Sequence, residues 1–128
     1  MFTKRILVIA CCLIAVACGR GDAYLLGPQW LGNVEVYVES RPGKPKVGMN
    51  EFLVIATHKD HKPAYRYVIS IGVKGSNKWI QTIQDGYSGV YRRATRVNDP
   101  SVDVLAVKLE KAGKTEILYF PLNIEAQK

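Results

Sequence analysis

From residue 34 onward, apolar and polar positions alternate in short runs between turn-forming clusters. No stretch keeps an apolar pattern at helical spacing for the length a helix needs. The runs predict strands at Val34–Ser40, Glu51–Thr57, Tyr65–Lys74, Trp79–Gln84, Gly89–Val97, Val102–Glu110 and Thr115–Leu122. Seven strands in roughly 95 residues, with turn signals every 8–12 residues or so, is the pattern of an all-β sandwich. The turns have physical causes. "DHKP" ends in a proline that cannot join a ladder, "GSN" and "NDPS" supply turn formers, and "KAGK" places Gly113 where a hairpin favours positive φ. In "VDVLAVKLE", Val102, Val104, Ala106 and Lys108 take one side against Asp103, Leu105, Val107 and Leu109. Neither side is cleanly polar, which predicts a central strand rather than an edge.

The chain opens differently. Lys4 and Arg5 precede an unbroken apolar run, Ile6 to Ala17, followed by small residues, and this is the three-part order of a bacterial secretory signal. The run is too short for a permanent membrane helix, which needs roughly 20 apolar residues. Ala15-Val16-Ala17 fits a small-x-small cleavage site, while the same residues with Cys18 resemble the lipobox of bacterial lipoproteins. Cys11 and Cys12 lie in the removed segment, so Cys18 is the only thiol that the mature chain would keep. A lone thiol in an exported protein invites oxidation, and acylation removes that liability. We therefore expect a lipid on Cys18, with plain secretion to a soluble periplasmic or secreted form as the alternative. Gly19 rather than an acid after Cys18 resembles the pattern of lipoproteins sent to an outer membrane. The expected organisation is a lipoprotein signal peptide at 1–17, a Gly- and Pro-rich tether at 18–33 and a sandwich domain at 34–128. Tyr24, Leu25, Leu26 and Trp30 are apolar enough for part of the tether to pack on the fold.

Charge narrows the partners. Losing Lys4 and Arg5 with the signal takes the 18 basic residues to 16, against 11 acidic ones, for a net charge of +5. A basic exported domain is drawn to anionic lipid head groups, lipopolysaccharide or cell-wall polymers. Its basic residues are scattered, without the stripe of interleaved aromatic stackers that nucleic-acid binding needs, so no nucleic-acid partner is expected.

Two family resemblances are carried by specific residues. "KWIQTIQDGYSGVYRRATRV" resembles the E-to-F corner of immunoglobulin-like domains, where a tyrosine hydroxyl bonds back to the upstream backbone. Tyr91 would be that tyrosine, and Arg93 stands where those domains place a core cysteine. Such an arginine implies either a bulge or a side chain that snorkels to an edge. "PKVGMNEFLVIATHKDHKPAYRYVISIGV" is similar to the opening of FixH/YtkA-like domains, with Gly48-Met49-Asn50, Asp60 and Pro63 in the family's places and Gly89-Val90-Tyr91 matching its Gly-x-Tyr strand. This second resemblance covers roughly the middle half of the chain. It implies an immunoglobulin-like sandwich at a bacterial envelope, in a family tied to respiratory-oxidase maturation and copper.

Three constellations carry candidate chemistry. His58 and His61 flank Asp60 on a turn, and Met49 lies one strand length upstream; imidazole and thioether donors suit copper, although Lys59 and Lys62 would repel a cation. A solvated polar turn is the competing account. Arg92, Arg93, Arg96 and Tyr91 offer a basic-aromatic face for a partner, an envelope protein or complex, since arginine and aromatics dominate binding hot spots. If Asp85-Gly86 formed a two-residue hairpin, Trp79 would lie opposite Arg92. A hydrolytic triad would rest on His58 or His61 alone, with none near Asp85 or Ser88, and no enzyme is expected.

Overall fold

The computed structural model describes residues 24–125. Its strands are β1 (Tyr24–Leu31), β2 (Val34–Arg41), β3 (Gly48–His58), β4 (Val68–Val73), β5 (Ile80–Gln81), β6 (Ile83–Gln84), β7 (Val90–Val97), β8 (Val104–Lys111) and β9 (Lys114–Pro121). They form two antiparallel sheets, β1-β2-β3-β7-β6 and β5-β4-β8-β9. The signal run 1–17 and Cys18 lie outside the described residues. No helix among the described residues is long and apolar enough to cross a membrane.

Period-two alternation decides which face each strand buries. Val34, Val36 and Val38 of β2 point inward, as do Phe52, Val54 and Ala56 of β3, because the pairs Val36↔Ala56 and Val38↔Val54 hold them in one register. The opposing sheet supplies Ile69 and Ile71 from β4, Leu105, Val107 and Leu109 from β8, and Phe120 from β9 to the same core. Strand β8 lies between β4 and β9, and both of its neighbours are paired along most of its length.

The strand count and the tether boundary both differ from the sequence-based expectation. Tyr24–Leu31, placed in the tether, is the edge strand β1 on β2. Gly27-Pro28 interrupts its alternation: the register shifts between Leu26 and Gln29, so the inward series Tyr24, Leu26 resumes at Gln29 and Leu31. An edge strand tolerates a proline and an extra residue because one side of its ladder has no partner to lose. The run 79–84, read as one strand, divides into β5 in one sheet and β6 in the other. Thr82 makes the crossing point: its amide and its hydroxyl both donate to the Ile69 carbonyl, at 2.8 and 2.7 Å.

The opposite corner is closed by side chains. The Tyr24 hydroxyl donates to the Leu122 carbonyl at 3.1 Å, and Gln29 Nε2 donates to the Tyr119 carbonyl. Within the sandwich, Tyr91 is fully buried and its hydroxyl donates to the Ala64 carbonyl at 2.7 Å. That bond reaches 27 residues upstream, to the segment joining β3 to β4, rather than to the adjacent corner. Gly89 admits this segment, because a Cβ there would lie 2.5 Å from the Ala56 carbonyl oxygen, which already accepts from Ala64 N–H.

Candidate functional site

The four residues expected to form one basic-aromatic face are divided by strand parity. On β7, Arg92, Ala94 and Arg96 point outward, whereas Tyr91, Thr95 and Val97 are buried. Tyr91 is a core residue and does not belong to a contact surface. Arg93 shares the inward parity of Tyr91 yet is exposed. The β3–β7 register runs without a break from Gly48↔Val97 to Ile55↔Val90, which removes the bulge alternative. β6 pairs with β7 only at Tyr91 and Arg92, so the β7 edge is open from Arg93 onward and its long side chain reaches solvent there.

Arg92 and Arg96 therefore stand on the outer face of the five-stranded sheet. The register sets their neighbours: Leu25, Glu39, Leu53, Arg92 and Ile83 lie in one cross-strand row, and Met49 sits beside Arg96. Leu53 is only 4% exposed although it faces outward, while Ile83 and Met49 are largely open to solvent. Glu35, Glu39 and Glu51 interrupt the apolar positions on the β2–β3 side. Burial first, and then the negative charges of Glu39 and Glu35, push the Tyr37 hydroxyl above its ordinary pKa. Arg41 already pairs with Glu39 at 3.0 Å on the β2 side, so this face sets acids and arginines around an apolar centre, a pattern that a complementary protein surface would match. Arg92 Nη2 already meets Asp85 Oδ2 at 2.7 Å, a solvent-exposed pair that a partner's carboxylate would compete for.

The hairpin expected to bring Trp79 opposite Arg92 has a different form. Asp85 N–H donates to the Val90 carbonyl, so the loop holds four residues, 86–89, and Arg92 pairs with Ile83. Trp79 packs instead on the other sheet, where Lys108 Nζ stands 4.8 Å from its ring centroid.

The histidine turn does not assemble a metal centre with Met49. His58 ends β3 and His61 follows in the turn, where its amide donates to the His58 carbonyl. Met49 lies nine residues back on the same continuous strand, roughly 30 Å away at the rise of a β-strand. A thioether at the far end of the sandwich cannot complete an imidazole pair, and the three residues do not fit one copper ion. Among the described residues, no group of three or more His, Cys, Asp or Glu side chains is gathered to hold a metal. The turn is held by its own contacts: Asp60 Oδ1 accepts from Lys62 N–H at 3.2 Å, and Lys62 Nζ lies 3.7 Å from Asp60. Asn50, in the Gly-x-Asn stretch, is buried, and its side chain bonds to the backbone of Lys46 and Gly48.

Two groups of surface residues were not singled out from sequence. One is the outward row of Leu25, Glu39 and Leu53 beside Arg92; the parity of each strand carried that signal, but the register joining four strands did not. The other is the pairing of Trp79 with Tyr119 on the second sheet, 40 positions apart in sequence. Together, fold and surface define a small two-sheet β-sandwich whose distinctive chemistry lies on its outer faces. Comparison with models of known families, with curated proteins and with solved structures found no match.

Proposed function

We propose that this chain is a non-enzymatic accessory protein of a bacterial envelope, anchored by a lipid on Cys18, whose five-stranded sheet docks another envelope protein. The observation that carries the reading is the alignment of Arg92 and Arg96 on one outward face beside Leu53, Ile83 and Met49. Arginines next to partly covered apolar side chains are the composition of binding hot spots. The signal-like start, the lipobox-like Ala15 to Cys18 and the resemblance to FixH/YtkA-like domains support the compartment and an immunoglobulin-like sandwich.

A photo-crosslinking amino acid at Ala94, between the two arginines on the same face, tests the docking surface. In native envelopes it should yield one discrete adduct. Arg92→Glu/Arg96→Glu should abolish that adduct with folding unchanged, and a crosslinker at Thr115 on the other sheet should not form it. Equal adducts from both faces, or an adduct that survives the charge reversal, would sink the assignment. Mass measurement of the N-terminal peptide tests the anchor separately.

A further inference from the structure

The outer face of the four-stranded sheet carries a slot built unlike the rest of the surface. Gly72, Ala106 and Tyr119 are successive cross-strand partners on β4, β8 and β9. The loop after β4 brings Trp79 over Gly72, close enough that a Cβ on Gly72 would lie 2.3 Å from the Lys78 carbonyl oxygen. Glycine and alanine thus place no side chain larger than a methyl beneath the loop, and two half-exposed aromatic rings, Trp79 and Tyr119, belong to the lining. The slot holds about 100 Å³. Both rings line the slot, Trp79 from the segment leading into β5 and Tyr119 from β9.

Lys74 and Lys78 line the slot, and Lys108 stands beside it. Lys74 Nζ stands 5.0 Å from the Tyr119 ring centroid, Lys108 Nζ stands 4.8 Å from that of Trp79, and Lys78 belongs to the lining. Lys108 also faces Glu110 at 3.5 Å, whereas Lys74 and Lys78 make no ion pair among the described residues. Ser76 and Asn77 also belong to the lining, and Ser76 Oγ accepts from Lys78 N–H at 3.4 Å.

We propose that this slot binds a single sugar ring bearing a carboxylate or phosphate group. A pyranose presents a C–H face to an aromatic ring and hydroxyls to groups such as Ser76 and Asn77, while its acid meets the lysines. A bare phosphate would engage the lysines and leave both rings unused. A neutral sugar would leave Lys74 and Lys78 without an anionic partner. The site is separate from the arginine face, which lies on the other sheet.

The test uses the purified full chain in detergent with Trp30→Phe, which leaves Trp79 as the only indole, since the sequence has two tryptophans. Digalacturonate or glucose 6-phosphate should change Trp79 emission saturably, and digalactose should act at least tenfold more weakly. Tyr119→Ala, which keeps the reporter, and Lys74→Met/Lys78→Met should each weaken the acidic sugar about tenfold or more, with the far-ultraviolet spectrum unchanged. Absence of a saturable change with both acidic sugars overturns the proposal. So does an equal response to digalactose, or to triglutamate as a non-sugar anion. Competition by vesicles carrying a phosphorylated glycolipid would assign the slot to lipid-linked sugar, and failure to compete would assign it to soluble glycan, with the sugar chemistry upheld in both cases.

Discussion

Tyr91→Phe deletes one oxygen from the interior and leaves the aromatic packing in place. The lost hydroxyl donates to the Ala64 carbonyl at 2.7 Å, and Ala64 is itself only 1% exposed, so water has no access to replace the donor. The same oxygen lies 3.4 Å from Tyr67 N–H, and both contacts tie the segment before β4 to β7. A buried acceptor left without its donor costs about 1–3 kcal/mol. For a domain of about 100 residues, each kcal/mol lowers Tm by roughly 4–8 °C, so a cost near the middle of that range should lower it by about 8–16 °C. Differential scanning calorimetry of parent and variant measures the shift. Tyr119→Phe is the control, because its hydroxyl makes no hydrogen bond among the described residues and the ring is half-exposed. A Tyr91→Phe shift of less than about 2 °C, or one equal to the control, would refute the claim that this hydroxyl pins the two parts together.

Gly72→Ala would push a methyl group against the Lys78 carbonyl oxygen at 2.3 Å, and the obstacle is backbone that cannot rotate away. Overpacking of this kind costs about 1–3 kcal/mol, so the urea midpoint should fall, and acidic-sugar binding should fall with it as the 74–79 loop lifts. Ser40 is buried and its Oγ has no hydrogen-bond partner among the described residues. Ser40→Ala removes an unsatisfied polar group and should leave stability equal or raise it by about 1 kcal/mol; a clear loss in chemical denaturation would mean that a water completes the site. Burial raises the Tyr91 pKa above its ordinary value, and burial with neighbouring glutamates raises that of Tyr37. A raised folded-state value means that their contribution is fully present below about pH 10 and is lost as pH climbs through the folded values. Stability measured from pH 8 to 12 should therefore fall on the alkaline side, and Tyr91→Phe should flatten that fall.

Strand positions were legible wherever alternation was regular, as at Val34, Val36 and Val38. They were lost where a local device breaks the period. The extra residue at Gly27-Pro28 shifts the inward series by one, so β1 shows neither a strand pattern nor a helical one in sequence. The run 79–84 reads as continuous because its residues favour strand throughout; only the Ile69 carbonyl, 13 residues upstream of Thr82, decides that the chain changes sheets there. For Arg93, sequence offered a bulge or an edge, and the choice depended on where β6 stops pairing. Parity alone would have separated Tyr91 from Arg92 and Arg96, since neighbours on a strand face opposite ways. Nothing local relates Gly72, Ala106 and Tyr119, because a register across three strands is a property of the whole sheet.

No cysteine occurs among residues 24–125, so these two sheets are held together without a disulfide. Apolar burial supplies the core, and a few directed hydrogen bonds fix its corners: Tyr24 and Gln29 at the β1–β9 side, Thr82 where β5 passes into β6. The candidate recognition surfaces are the two outer faces. They carry different chemistry, arginine and glutamate around apolar side chains on one, lysine around aromatic rings on the other. The core between them is close-packed from both sheets and contains no group that either proposed ligand would touch. Occupation of the sugar slot should accordingly leave the Ala94 adduct unchanged, and Arg92→Glu/Arg96→Glu should leave sugar affinity unchanged. Coupling between the two would require the sandwich to shift as a two-state element, for which its pinned corners leave little room.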